Sequence, residues 1–71
     1  METLEAVLAV LRDEAAPMHW TKIQDLALRR GFIDPFDVKD ERRTVLGTLA
    51  EAARDGAVVR HGKGMYSLPE D

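Results

Sequence analysis

Hydrophobic spacing changes once along this chain, at Gly56. Before it, apolar residues recur at three- and four-residue intervals, the period of helices with one buried face. After it, two short β-favouring runs, Ala57 to His61 and Met65 to Leu68, flank Gly62-Lys63. Helices first and a hairpin last leave few arrangements for one small core. The chain has 71 residues and no cysteine, so no disulfide can staple it. A chain of this length buries only about 60% of the surface it exposes when unfolded, and must hold together by packing or through a partner. An apolar fraction of 45% beside a charged fraction of 32% is that of an ordered domain.

Thr3 is placed to cap a first helix, with Leu4, Val7, Leu8, Leu11 and Ala15 on its inner face. Pro17 ends it, because the residue before a proline is pushed out of helical geometry. Met18-His19-Trp20 is too short for a helix and reads as a brief extended segment. Thr21 and Gln24 match a capping box that opens a second helix, buried through Ile23, Leu26 and Ala27 and stopped by Gly31. Asp34-Pro35 reads as a turn. Asp37 or Asp40 then caps a third helix, whose inward stripe is Val45, Leu46, Leu49, Ala50 and Ala53. Gly47 within it costs about 1 kcal/mol relative to alanine, which calls either for close packing or for something outside that approaches the backbone. In the final hairpin Tyr66 and Leu68 share the inward face.

The expected fold is mainly helical α+β, a winged helix-turn-helix in one domain over residues 1–71. Its helices fall at about 3–15, 21–30 and 40–55, a strand at about 18–20, and a two-stranded hairpin wing at about 57–68. "RHGKG" is then the wing tip. A Walker-type phosphate loop is excluded there, since Met65 stands at the hydroxyl position and a strand follows. Asp34, Asp37 and Asp40 lack the glycine and terminal glutamate of a calcium loop and suit turns and caps. His19 and His61 have no metal-ligand companions, and no nucleophile accompanies His19, which reads as a structural histidine beside a core Trp20. No catalysis, metal or cofactor is expected.

The formal charge is −3, yet it is polarised. Residues 1–16 carry Glu2, Glu5, Asp13 and Glu14 against Arg12. Residues 17–33 carry Lys22, Arg29 and Arg30 against Asp25, and residues 57–68 carry Arg60 and Lys63 with no acid. The N-terminus lacks the positive start of a signal peptide, and no apolar run reaches the length of a membrane span, so a cytoplasmic protein is expected, associated with the nucleoid if it binds DNA.

"PMHWTKIQDLALRRGFI" and "VVRHGKGMYSL" together resemble the HARE helix-turn-helix family, a branch of winged-helix domains. The matching features are an apolar first helix at Ala6–Leu11, a Pro-apolar-His-Trp lead-in at Pro17–Trp20 to a helix closing on Gly31, and a glycine-flanked hairpin at Val59–Leu68. Such domains are found fused to chromatin proteins and restriction-type enzymes, and a relative forms part of the bacterial RNA polymerase delta subunit. The resemblance implies a DNA-associated role without catalysis, or docking to transcription machinery. Two differences stand out: Asp34–Glu41 is more acidic than in that family, and the chain closes soon after the hairpin, as a free-standing domain would.

In a helix-turn-helix the second helix of the motif enters the major groove. Here that is the helix after Asp40. The duplex-DNA reading gives phosphate contacts to Lys22, Lys39, Arg42, Arg43, Arg60 and Lys63, with His61 as a pH-dependent addition, and base-edge contacts to Thr44 and Thr48. Arg29 and Arg30 read as ordinary solvated residues near a helix C-terminus. The rival is an adaptor that docks on RNA polymerase or another transcription protein through Thr44, Gly47, Thr48, Glu51 and Asp55. A homodimer is a third arrangement, since one module contacts only one half-site.

Overall fold

A computed structural model describes residues 2–34, 36 and 40–69. In chain order they form α1 (Thr3–Glu14), β1 (Met18–His19), α2 (Trp20–Arg29), α3 (Glu41–Asp55), β2 (Val59–Gly62) and β3 (Met65–Ser67). The three strands make one antiparallel sheet ordered β1-β3-β2, so the last strand lies in the middle. Met18 pairs with Tyr66 on one side of it, and Arg60 pairs with Tyr66 on the other. Three helices, a hairpin, and a short strand paired back onto that hairpin form the layout of a winged helix. The helices and hairpin sit where the spacing puts them, to within a few residues at each end.

The core is where the three helices meet the sheet. α1 supplies Ala6, Val7, Val10 and Leu11; α2 supplies Ile23 and Ala27; α3 supplies Val45, Leu49 and Ala52. Val58 and Tyr66 close it from the hairpin. Each fully buried leucine or isoleucine here contributes roughly 1.5–3 kcal/mol.

The buried stripes of α1 and α3 are rotated from those the sequence suggests. Leu4 is 42% exposed and Ala15 is exposed, while Ala6 and Val10 are fully buried. On α3, Ala52 is buried and Ala50 is exposed, with Leu46 and Ala53 half-buried. α1 is apolar around most of its circumference and α3 has a broad apolar arc from Ala52 round to Ala50, so periodicity alone does not choose the face. The side chains buried there include the small Ala6 and Ala52, while the larger Leu4 and Leu46 stay more exposed.

The caps also differ. Glu2, not Thr3, precedes α1, and it makes no side-chain cap bond. α2 begins one residue early, at Trp20. His19 caps it, with Nδ1 accepting the Thr21 N–H at 3.3 Å and lying 2.8 Å from Thr21 Oγ1. The capping box therefore does not form, and Gln24 Oε1 is buried without a partner among the described residues. His19 is indeed a structural histidine. At the far end of α2 the expected stop is present: Gly31 has φ +73°, and the Phe32 N–H donates back to the Ala27 carbonyl at 2.9 Å. Asp40 caps α3, its carboxylate accepting the Arg43 N–H at 3.1 Å. Pro35 and Asp37 lie outside the described residues.

Candidate nucleic-acid interface

The outward side of α3 is open at its centre. A Cβ built on Gly47 meets nothing within 4 Å, so no packing inside the chain requires glycine there. Two shallow hollows adjoin this gap. One, toward the start of α3, is lined by Asp40, Arg42, Arg43 and Leu46. The other, toward its end, is lined by Ala50, Glu51, Ala53, Arg54 and Arg60. Gly47 belongs to both. Four guanidinium-bearing residues thus border one helix face, three from α3 and one from β2.

Their electrostatics differ from those of the other arginines. Among the described residues, Arg42, Arg43 and Arg60 have no carboxylate within 4.0 Å; Arg54 reaches Glu51 only at 4.0 Å, with both side chains 74% exposed. Asp40 is occupied in capping α3. By contrast, Arg29 pairs with Asp25 at 3.1 Å within α2, and Arg30 bridges to Asp13 at 3.1 Å and Glu14 at 3.6 Å on α1. Arg30 is therefore an interhelical tie rather than a merely solvated residue.

The wing brings Arg60 to α3 through its register. Arg60 stands opposite buried Tyr66 and so on the sheet face turned toward the helices. A bulge follows: His61 is the extra residue before Gly62 pairs with Met65. As the neighbour of Arg60 along the strand, His61 points to the opposite face of the sheet. Its Nε2 lies 2.6 Å from Ser67 Oγ, in a hollow shared with Leu11, Ala15 and Pro17. The turn itself is Lys63-Gly64, with φ +53° and +78°, one residue later than the sequence suggests; two left-handed residues are what a tight hairpin with right-handed strand twist needs.

Of the residues singled out for DNA contact, Arg42, Arg43 and Arg60 gather around Gly47. Lys63 is exposed at the wing tip. Lys22 is exposed in a third hollow with His19 and Met65, which none of the α3 arginines lines. His61 is turned toward the end of α1. Thr44 and Thr48 are half-buried and line neither hollow beside Gly47. Lys39 lies outside the described residues. Of the docking set, Gly47 and Glu51 line the hollows, and Asp55 is exposed.

Two participants are missed by sequence reasoning. Arg54 follows Gly47 by seven residues and shares its face, but assigning Ala50 to the core turns that face away. Trp20, expected in the core, is only half-buried, and the Arg42 guanidinium stands over it with Cζ 5.4 Å from the ring centroid. No signal in the sequence links residues 20 and 42.

Fold and site together define a winged helix-turn-helix with an arginine-bordered third helix. Comparison of the chain with protein-family models, with curated proteins and with solved structures finds no match. Among the described residues no helix is long and apolar enough to cross a membrane.

Proposed function

We propose that this protein is a non-catalytic winged-helix domain that binds double-stranded DNA, in transcription regulation or another DNA transaction, in the cytoplasm and at the nucleoid. One observation carries the reading: the outward face of α3 is open at Gly47 and bordered by Arg42, Arg43, Arg54 and Arg60. Guanidinium groups grip phosphates bidentately, and their attraction releases condensed counterions from the duplex. A glycine at the centre lets a groove edge approach the helix backbone. The reading agrees with what the likeness to the HARE helix-turn-helix family implies.

The test is fluorescence anisotropy of a labelled mixed-sequence duplex at about 50 and about 200 mM salt. Four phosphate contacts predict roughly a hundredfold loss of affinity between those conditions. Absence of binding at the lower salt contradicts the proposal.

A second reading is favoured by Phe36, which is 96% exposed beside the Asp34 carboxylate that accepts its N–H at 2.9 Å. A ring so presented, in an acidic stretch, suits an apolar pocket with a basic rim on RNA polymerase or another transcription protein, or on a second copy of this chain. Under that reading Phe36→Ala abolishes partner binding or self-association and leaves duplex binding untouched.

A further inference from the structure

Three elements far apart in sequence meet at one indole. Trp20 opens α2, and its backbone N–H, which no helical carbonyl can reach, donates to the Gly64 carbonyl at the wing tip at 3.0 Å. From α3, Arg42 lays its guanidinium over the ring. Gly64 comes this close only because it lacks a side chain: a Cβ there would lie 2.8 Å from Trp20 Cδ1 and 2.8 Å from His19 Nε2. His19 braces the arrangement, its ring centroid 5.6 Å from that of Trp20.

A long arginine on an exposed helix surrenders rotamer freedom when it grips a phosphate. One already stacked on a fixed ring has surrendered much of it beforehand. Lys63 adjoins Gly64, so the same contact also fixes the backbone from which Lys63 projects. We propose that Trp20 is a positioning residue of the duplex-binding surface, orienting Arg42 and the Lys63 tip so that both meet phosphates of one duplex. This rests on the DNA reading above and adds to it a coupling between α3 and the wing that passes through α2.

The test is a double-mutant cycle read by duplex anisotropy. Arg42→Lys keeps the charge and gives up the planar stack. In the native background it is expected to weaken binding about threefold with the salt slope unchanged, and in a Trp20→Leu background to cost nothing further. Equal cost in both backgrounds overturns the positioning role while leaving DNA binding intact. Failure of the native protein to bind duplex overturns the DNA reading and this inference together. If Trp20→Leu does not fold, Trp20→Phe takes its place with a weaker π face, and an undiminished Arg42→Lys cost then overturns the proposal. Trp20 is the only tryptophan, so its emission reports the stack in the free protein. Arg42→Lys is expected to shift that emission; an unchanged spectrum contradicts the stack.

Discussion

Two arginine-bearing corners of this molecule look alike in composition and differ in what surrounds them. Where α1 and α2 end, Arg30 is held between Asp13 and Glu14 and Arg29 is paired with Asp25. Around Gly47, Arg42, Arg43 and Arg60 have no close carboxylate among the described residues. The first corner uses its cations to join helices; the second leaves them facing outward. A formal charge of −3 is therefore a poor guide to any one face.

The largest effect that can break this contrast is on binding. Arg43→Glu with Arg60→Glu is expected to lower duplex affinity at least roughly tenfold and to flatten the salt dependence by about one unit of slope per arginine. Arg29→Glu, an equal reversal at the first corner, is expected to change it by less than about twofold. Similar losses from both would mean that only total charge matters.

Next comes the wing tip. Gly64→Ala combines a left-handed φ with contacts of 2.8 Å, and is expected to cost about 2 kcal/mol and lower the melting temperature by roughly 10 °C. A native-like melt would show that the tip is not held against His19 and Trp20.

Gly47→Ala sharpens the contrast by separating stability from binding. With open space for the methyl group, it is expected to raise stability by about 1 kcal/mol while weakening duplex binding. A variant that gains stability and binds as before would remove close approach at Gly47 from the account.

Smallest is the effect of Arg30→Ala. Its pairs are partly solvated, so the expected loss in a denaturant titration is less than about 1 kcal/mol, shrinking at high salt. A larger, salt-independent loss would point to packing by the arginine stem instead.

The order of elements was legible because periods and stop signals differ sharply: Pro17, Gly31 and Gly56 mark ends by backbone sterics that act locally. Helix rotation was not, since α1 and α3 offer apolar residues on several sides and only the neighbours decide between them. The same rotation decides the site. With Ala50 turned inward, Thr44 and Thr48 become central and Arg54 falls off the face, although Arg43, Gly47 and Arg54 lie at helical spacing. His61 sits apart from Arg60 for a simpler reason: adjacent strand residues point to opposite faces, so the two cannot both reach one duplex-facing side, and that much is legible in the period of two. The Trp20–Arg42 stack is purely tertiary.

The sheet order has a consequence for how the protein is made. β3 lies between β1 and β2, so Met18 and His19 find their partners only after residues 65–66 have been synthesised. Until then the lead-in to α2 keeps its backbone groups in water and Trp20 has no wing to bond. A ribosome that has finished all three helices thus holds a chain with no sheet at all. Residues 65–67 do not decorate a finished fold; they complete its sheet.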